Sequence, residues 1–531
     1  MRTSRGSWSV AGLVAGLAGL VTSYCVAMVM TTRDSPVTAV ASLVTRLTPG
    51  PVVERAIKLL GHHDKQFLLL VILVLSGVVF AWAGRLARRS WWAPAIVFGV
   101  LGIVGAVAVG RQHGSGTIDV LPIGVGVATW LVCLSLLTEP LRRQELALAH
   151  AGEAPAADAP AAGPSPQPRP ADHTRRTFLL RAGAMVAGAT VLGTVGRVVG
   201  RSRRHVEEAR RLLRLPGVTA PEGVAGSRIG LAGLTPWATP ASRFYRIDTA
   251  FVVPTIEPTD WQLRIHGMVD REVVLNYQQL IDRQITEAWV TINCVSNPVG
   301  GDLIGNAWWS GVRIADLLAL AGVQPGADAV LQTSEDGWTC GTPLTALTDE
   351  RDAMLAVAMN GRPLPIEHGF PVRTIVPGLY GYVSACKWVV EMEVTRFADI
   401  EAYWTGKGWS ERGPVKMSSR IDVPGKGGGE VLASGGRVGG MAWSQHTGIK
   451  AVEISIDDGP WEAAAIGQVP SVDTWVQWAA TIDVEPGEHT LAVRAIDTAG
   501  VVQTGQEQDT LPDGATGWDT TSFTATEATD D

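Results

Sequence analysis

The chain has 531 residues, of which 46% are hydrophobic, and carries a formal net charge of -7 at pH 7. Residues 1–214 contain 24 Lys and Arg against 11 Asp and Glu, whereas residues 215–531 contain 20 against 40. The length predicts about three to four folded units, and the acidic second half argues against nucleic acid as a partner.

Four long apolar runs bounded by arginines occupy the first part of the chain. Because about 20 apolar residues cross a bilayer as a helix, we predict membrane spans near residues 8–30, 67–84, 92–110 and 118–137, within a transmembrane helical domain at 1–140. Arginine-rich loops stay in the cytoplasm, and the loops placed inside on this basis contain Arg2, Arg5, Arg85, Arg88, Arg89, Arg142 and Arg143. The expected location is therefore the cell membrane, in a multi-pass arrangement with the N-terminus inside.

Haem ligation and proton relay are not expected in these spans. His62, His63 and His113 lie at the ends of spans, and the span interiors contain no histidine. Charged residues inside a membrane usually mark a relay, and the first four spans contain almost none. Anchoring is thus the predicted role of this part.

Residues 141–173 are rich in Pro and Ala, which predicts a disordered cytoplasmic linker. The next segment, 174–200, places Arg175 and Arg176 before a Gly- and Ala-rich apolar run and looks like a Tat signal, which exports folded proteins. No convincing A-x-A cleavage site follows, so we predict a retained fifth span with the rest of the chain outside the cytoplasm. An ordinary weak helix behind cytoplasmic arginines is the alternative.

The remaining chain divides into a linker and two further domains. Residues 201–240 form the linker, and its opening "RSRRHVEEARRLLR" predicts an amphipathic helix on the outer lipid face. Short β-rich runs mixed with helical stretches such as 314–321 predict an α+β domain at 241–402. Beyond it, period-two alternation predicts an immunoglobulin-like β-sandwich at 403–531.

Two patterns in this last domain could suggest a site but have a structural explanation. Asp457, Asp458 and Gly459 lie between two predicted strands, where Asp-Gly is a hairpin signal. The glycines of "GKGGGE" precede no helix that could bind a phosphate. We therefore predict a turn and a flexible loop.

Three of the five cysteines, Cys294, Cys340 and Cys386, lie in the α+β domain, whereas Cys25 and Cys133 lie in spans. An oxidising exterior permits a Cys340–Cys386 disulfide, although sequence cannot fix connectivity. No C-x-x-C, H-E-x-x-H or C-x-x-C-H spacing is present. Cys294, in "TINCVSNPVGG", is then either a small core hydrophobe or a ligand to a metal whose other sulfurs come from a cofactor.

Two long motifs carry a family resemblance. "VTINCVSNPVGGDLIGNAWWSGVRIADLL" and "AMNGRPLPIEHGFPVRTIVPGLYGYVSACKWVVEMEV" resemble the molybdopterin-binding domain of the sulfite oxidase family. The resemblance runs from about Phe244 to the C-terminus, because that family follows its cofactor domain with an immunoglobulin-like domain often used for dimerisation. It implies a molybdenum-molybdopterin cofactor, Cys294 as metal ligand in the C-x-x-N motif, and a possible homodimer.

The resemblance also implies roles for other residues. Arg246, in "FYRIDTA", resembles the arginine that approaches the oxo and substrate side of the metal. His368, Arg373 and Lys387 resemble the residues that hold the pterin and its phosphate, for which cations are suited, and Asn297 is expected to shape the turn after the ligand. Without the resemblance, Arg373 and Lys387 would be interpreted as solvated strand charges and His368 as a loop histidine.

Departures from the family pattern bear on the substrate. Sulfite-oxidising members continue C-x-G-N-R-R, whereas this chain has Pro298 and Val299 in place of the two arginines. Cys340 stands where many members have an active-site tyrosine, which makes it a catalytic candidate, and Asp248 replaces a histidine. Sulfite becomes a doubtful substrate, because a dianion needs cationic partners in its pocket.

These patterns together predict a membrane-anchored, outward-facing molybdenum oxidoreductase. It would transfer an oxygen atom to or from a small acceptor in two-electron steps, by sulfoxide or N-oxide reduction or by sulfite oxidation. A separate redox partner is expected, because the chain has no haem or iron-sulfur motif. The alternative is a cofactor-free exported binding module with an immunoglobulin-like domain.

Overall fold

The structure is a computed structural model that describes residues 5–30, 35–112, 114–152, 176–188, 190 and 202–527. The chain forms two compact units, one built from residues 1–205 and 250–252 and the other from residues 206–249 and 253–531. Several predictions lie wholly or partly outside the described residues: 153–173 of the predicted linker 141–173, residues 174–175, 189 and 191–200 of the predicted fifth span, and Arg2, His113 and Arg175.

The first unit is helical. Its helices are α1 Arg5–Val29, α2 Pro36–Leu47, α3 Gly50–Leu60, α4 Asp64–Leu86, α5 Trp92–Gly110, α6 Leu121–Gly152 and α7 at residues 176–188. Four are long and apolar enough to cross a membrane, namely Arg5–Val29, Asp64–Leu86, Trp92–Gly110 and Thr117–Leu146. They match the four predicted spans, whereas the shorter helices α2 and α3 were not predicted.

Small residues let helices α1 and α4 approach closely. A Cβ atom on Gly12 would lie 2.1 Å from the carbonyl oxygen of Phe80, so a larger residue cannot be accommodated without a shift. Phe80, Phe98 and Trp130 pack together in the bundle with ring centroids 5.3 to 6.1 Å apart. Trp130 Nε1 also donates a hydrogen bond of 2.7 Å to the oxygen of Gly16, so the indole is satisfied without water.

Helix α7 packs on the same bundle. Phe178 is buried in the bundle core, and Arg181 Nη1 lies 3.1 Å from Glu139 Oε2 of α6. The described part of the predicted fifth span is therefore helical and attached to the other spans.

The second unit begins within α8 Ser202–Leu212 and continues to the C-terminus. Its other helices are α9 Tyr277–Ile281, α10 Ile314–Ala321, α11 Leu344–Thr348 and α12 Gly381–Ser384. The first ten strands are β1 Gln262–Gly267, β2 Val273–Asn276, β3 Thr286–Asn293, β4 Ile304–Arg313, β5 Ala329–Ser334, β6 Thr339–Pro343, β7 Met354–Met359, β8 Arg362–Pro363, β9 Arg373–Ile375 and β10 Val389–Thr395.

These ten strands form one mixed sheet and one antiparallel sheet. One has the order β2-β1-β10-β5-β6, with β1 and β10 parallel and the other neighbours antiparallel. The other has the order β3-β4-β7-β8, with β9 paired to β7. Helices pack into the larger buried core beside residues such as Trp261, Leu317 and Met392, which gives the predicted α+β arrangement.

Strand β3 determines where Cys294 lies. Because side chains alternate along a strand, Ile292 and Cys294 share one side, which faces a cavity. Thr291 and Asn293 point to the other side and are also buried. A strand covered on both sides explains the continuous apolar run that the sequence shows here.

The C-terminal region is β-rich, as predicted. Its strands are β11 Ser418–Val423, β12 Glu430–Leu432, β13 Ser434–Trp443, β14 Ile449–Ile456, β15 Glu462–Ile466, β16 Val476–Asp483, β17 Gly487–Asp497 and β18 Asp519–Thr526. Trp478, Leu491 and Phe523 lie in one core contributed by most of these strands. Asp457 and Asp458 have positive φ angles of 51° and 56° between β14 and β15, which is the predicted hairpin turn.

One domain boundary and the packing of one helix bear on the sequence-based expectations. Trp404 and Trp409 pack with the oxidoreductase core, and the first C-terminal strand begins at Ser418, so the domain boundary lies after residue 403. Helix α8 is present, but its Val206 is buried in a cluster with Phe244 and Trp309. That apolar contact is with the α+β domain, and the lipid-facing position stays a prediction.

Candidate active site

A cavity in the α+β domain brings together residues that are far apart in the sequence. Its walls come from the segment before β1, the end of β3, the β5–β6 turn, the segments flanking α12, and the stretch that precedes β11. The lining residues are Phe244, Tyr245, Ile247, Asp248, Thr249, Ile292, Cys294, Val295, Ser296, Ser334, Asp336, Trp338, His368, Arg373, Gly381, Tyr382, Ala385, Lys387, Trp388, Trp404 and Trp409.

Cys294 lies on this cavity wall, directly after β3. Its side chain is 9% exposed, and its backbone N–H donates to the oxygen of Leu303 at 2.9 Å. Burial raises the pKa of the Cys294 thiol, against the opposing effects of hydrogen bonds from Ser296 and the charge of Lys387. A thiol of this kind becomes a thiolate most readily when a metal replaces its proton.

Asn297 holds the turn that follows Cys294. Its Oδ1 accepts a hydrogen bond of 2.9 Å from the N–H of Leu303, and its own N–H donates to the oxygen of Cys294 at 3.0 Å. A Cβ atom on Gly301 would lie 2.1 Å from Asn297 Oδ1, so this turn leaves room only for glycine there. The next two residues, Pro298 and Val299, do not line the cavity.

Arg373 is a buried cation on the cavity wall. Its side chain is packed 5.2 Å from the ring centroid of Trp309, and its Nη1 donates to the oxygen of His368 at 3.2 Å. In the part of the chain that the structure describes, no carboxylate forms an ion pair with it. Burial lowers the pKa of Arg373 to about 10. A desolvated guanidinium of this kind suits an anionic ligand.

Lys387 is the second cation of this wall. Burial lowers its pKa to about 8, although the neighbouring Asp248 opposes this shift. Lys387 Nζ lies 3.1 Å from Asp248 Oδ2, and the same carboxylate oxygen is 3.0 Å from Arg246 Nε. Arg246 has a side chain that is 43% exposed and is not among the described lining residues. The structure therefore does not bring Arg246 to the cavity wall, where its predicted role would require it.

His368 completes the group of basic side chains. Its Nε2 lies 3.1 Å from the oxygen of Ala241, which assigns the proton to Nε2 in the neutral ring. Burial, together with the charges of Arg373 and Lys387, lowers the pKa of His368 to about 4. The ring is therefore neutral at pH 7 and its Nδ1 is an acceptor.

The hydroxyl group of Tyr245 belongs to the cavity and was not predicted from the sequence. Tyr245 lines the cavity, stacks on Phe244 with ring centroids 5.3 Å apart, and makes no hydrogen bond with the residues described here. Burial, followed by the charge of Cys294, raises its pKa, so the hydroxyl stays protonated and can donate. Tyr245 is next to Arg246 in "FYRIDTA", and neighbouring residues of an extended segment point to opposite sides. This pattern could have indicated that one of the two faces the cavity and the other does not.

Tryptophans form much of the remaining wall. Trp338, Trp404 and Trp409 line the cavity, and the rings of Trp404 and Trp409 meet edge to face with centroids 6.4 Å apart. Tyr382 packs on Trp409 at 5.9 Å. The cavity thus combines two buried cations with an apolar aromatic wall.

The structure places Cys340, the other predicted catalytic residue, away from the described cavity wall. Cys340 is fully buried, pairs with Gln332 across strands β5 and β6, and belongs to the domain core. Its side chain lies within hydrogen-bonding distance of the Cys386 thiol, and both cysteines are free. Trp338 lies in the turn before β6, where strand alternation does not apply, and lines the cavity, whereas Cys340 within the strand does not.

Comparisons with known proteins identify this domain. Residues 250–404 match the family model described as "Oxidoreductase molybdopterin binding domain". The Bacillus subtilis protein named "Uncharacterized oxidoreductase YuiH" is 36% identical over 163 residues, which cover 31% of this chain and 79% of that protein.

Matches to sulfite oxidases extend further along the chain. The sulfite oxidase of Arabidopsis thaliana is 28% identical over 329 residues, covering 50% of this chain and 82% of that protein. The mitochondrial sulfite oxidase of Drosophila melanogaster is 28% identical over 322 residues, and this match spans 55% of its length. The crystal structure of the sulfane dehydrogenase SoxCD from Paracoccus pantotrophus aligns with a TM-score of 0.45 at 23% identity, covering 56% of this chain and 82% of that one.

The residues present fit a molybdenum cofactor. Cys294 offers a soft sulfur ligand on a cavity wall, and Arg373 is a buried cation without a carboxylate partner among the described residues. Such a cation matches the phosphate of a pterin cofactor. The chain belongs to the sulfite oxidase family and is a molybdopterin-dependent oxidoreductase.

Proposed function

We propose that this oxidoreductase is anchored in the membrane with its catalytic unit outside the cytoplasm, and that it transfers an oxygen atom to or from a small substrate. The observation that carries this proposal is the single cavity shared by Cys294, Arg373 and Lys387. These side chains supply a metal ligand and two cations for an anionic cofactor. The family assignment favours this enzyme over a cofactor-free binding module.

The cofactor supplies two-electron redox chemistry at its metal. The chain's own residues would hold and orient this group: Cys294 would bind the metal as a thiolate, while Arg373 and Lys387 would hold the phosphate. Neutral His368 donates Nε2–H to the oxygen of Ala241, and its Nδ1 would be able to accept a hydrogen bond from an N–H group of the pterin. The protonated Tyr245 hydroxyl, which lies on the same wall, can donate a hydrogen bond to the oxygen that is transferred.

The charge of the cavity supports a neutral substrate. Its described cations are Arg373 and Lys387, and both are assigned here to the cofactor phosphate. The remaining wall has the carboxylates of Asp248 and Asp336, which oppose a dianion, and four tryptophans, which accommodate an organic group. A sulfoxide or N-oxide with apolar substituents fits this wall better than sulfite.

This substrate preference is tested by assaying the purified enzyme in both directions. With a reduced dye as electron donor, we expect methionine sulfoxide to take up two electrons and two protons and to yield the thioether and water. With an electron acceptor, we expect no sulfite oxidation with micromolar KM. Efficient sulfite turnover would contradict the charge argument, because it would require a cationic substrate pocket.

Lys387 gives phosphate binding a predicted pH dependence. Its pKa is about 8, so below pH 8 the side chain is already protonated. In that range Lys387 makes no contribution to the change of phosphate affinity with pH. Above pH 8, binding of a phosphate dianion must first add a proton to Lys387, so affinity falls by up to about tenfold per pH unit. Titrating cofactor-free protein with a phosphate monoester between pH 7 and 9 measures this slope. Lys387→Met should bind the phosphate monoester more weakly at pH 7 and should lose the decrease in affinity above pH 8. If this variant kept the decrease, Lys387 would not be the group that causes it.

The remaining assignments are supported by the helices and by the sequence. Four helices suited to a membrane precede α7, whose segment carries the Tat-like pattern, and this order would place the cavity outside the cytoplasm. We assign the C-terminal β-rich region to the immunoglobulin-like type and propose that it mediates a homodimer. Electrons would enter or leave through a separate redox partner.

A further inference from the structure

The C-terminal region pairs with the strand that leads to Cys294. Strand β3 is the edge of its sheet, and the backbone N–H of Thr291 donates to the oxygen of Asp473 at 3.0 Å. The N–H of Trp475 donates to Thr291 Oγ1 at 2.9 Å, and Gln445 Nε2 donates to the oxygen of Thr291. All three partners lie in loops next to β13 and β16, so this edge is completed by the C-terminal region.

The same region also binds the chain after Cys294. Arg420 of β11 is 5% exposed, and its Nη1 donates to the oxygen of Gly301 at 2.8 Å. Gly300 has a φ of +67°, and a Cβ atom there would lie 2.3 Å from Asp519 Oδ1. The segment 291–301, which carries Cys294 at its centre, is therefore fastened to the C-terminal region on both sides.

Arg420 links the two attachment points. Its guanidinium lies 5.9 Å from the ring centroid of Trp475, the residue whose N–H binds Thr291. Its Nε contacts Asp422 Oδ1 at 2.7 Å, and its Nη2 donates to Thr235 Oγ1 at 3.0 Å. We name Thr291, Arg420, Gln445 and Trp475 the loop clamp.

We propose that the loop clamp positions Cys294 for metal binding, so that the C-terminal region is a working part of the active site in addition to any role in dimerisation. This inference rests on the proposed metal ligation by Cys294. Groups that hold a metal ligand in place tune the metal, and their loss commonly costs about 10- to 100-fold in affinity or activity. Arg420 is thus a positioning residue that acts through the backbone of Gly301.

The test compares Arg420→Met with Arg494→Met in the full chain. Arg494 is a matched control, because it also pairs with a carboxylate, Glu453 at 2.7 Å, and lies 4.1 Å from the centroid of Trp461 without touching segment 291–301. We expect Arg420→Met to lower kcat about tenfold with little change in KM, and to alter the electron paramagnetic resonance spectrum of the partly reduced metal. Arg494→Met should change neither, and a wild-type spectrum and kcat for Arg420→Met would overturn the proposal.

Two milder variants keep the proposal testable if Arg420→Met fails to fold, as the loss of a partner for buried Asp422 could cause. Arg420→Lys keeps the charge beside Asp422, and Thr291→Val keeps the shape of the side chain while removing the hydroxyl that binds Trp475. Both variants should change the electron paramagnetic resonance spectrum in the same way as Arg420→Met but by less. Wild-type spectra from both would reject the loop clamp. Cys294→Ser separates the two hypotheses: a spectrum that this change leaves untouched refutes ligation by Cys294 itself.

Discussion

Cys294→Ser should lower oxygen-atom transfer about 1000-fold or more, which corresponds to about 4 kcal/mol of barrier. Serine has nearly the same shape, so the buried position can accept it without a cavity or a clash. Its hydroxyl does not become an anionic soft donor, however, and the metal loses the ligand that keeps it redox-active. The measurements are kcat, molybdenum content by elemental analysis, and the metal's X-ray absorption spectrum, which should lose one sulfur ligand.

Cys340→Ser is the matched control for this experiment. It makes the same chemical change at a thiol that is fully buried and absent from the cavity wall, so kcat should stay within a few-fold of the wild type. The opposite pattern, a strong loss of kcat in Cys340→Ser and none in Cys294→Ser, would reject Cys294 as the metal ligand. It would instead support Cys340 as the residue that replaces the active-site tyrosine of many family members. Wild-type protein with near-zero molybdenum, made in a host that synthesises molybdopterin, would reject ligation altogether.

The sequence was sufficient for the features that depend on local pattern. Four helices match the four apolar runs, because length and apolarity are all that a membrane span requires. Cys294 and the basic residues His368, Arg373 and Lys387 also line one cavity. Helices α2 and α3 were not predicted because they are short and only Thr48 and Pro49 separate them, so the Pro-Gly pair at 49–50 suggests a loop.

What the sequence could not provide is which side of an element faces the site. Cys340 and Trp338 are two residues apart, yet the turn before β6 sends one inward and the other to the cavity. Arg246 and Tyr245 are adjacent, and Tyr245, which was not predicted, is the one that lines the cavity. The contact of Arg420 with Gly301 joins residues 119 positions apart, and no local pattern predicts such a pair.

Arg373→Met should have opposite effects on the cofactor-free and cofactor-loaded protein. Without cofactor, Arg373 is a desolvated cation with no carboxylate partner among the described residues, and methionine can keep the packing against Trp309. We expect the free energy of unfolding of the cofactor-free protein to rise by about 1–3 kcal/mol. Cofactor retention should fall about 10- to 100-fold because the phosphate loses its buried cation.

The two effects are separated by measuring urea unfolding of protein made without molybdopterin and molybdenum content of protein made with it. Arg494→Met again serves as the control, because its cation has a carboxylate partner and is partly exposed, so its removal should change stability by less than about 1 kcal/mol and leave molybdenum content unaltered. A cofactor-free protein that Arg373→Met destabilises would show that the guanidinium is a structural cation already satisfied by the fold. If Arg373→Met stabilises the protein and the cofactor is still retained, the phosphate must bind at another part of the cavity. Only the combination of higher stability and lost molybdenum identifies Arg373 as a cation held in the interior for an anionic ligand.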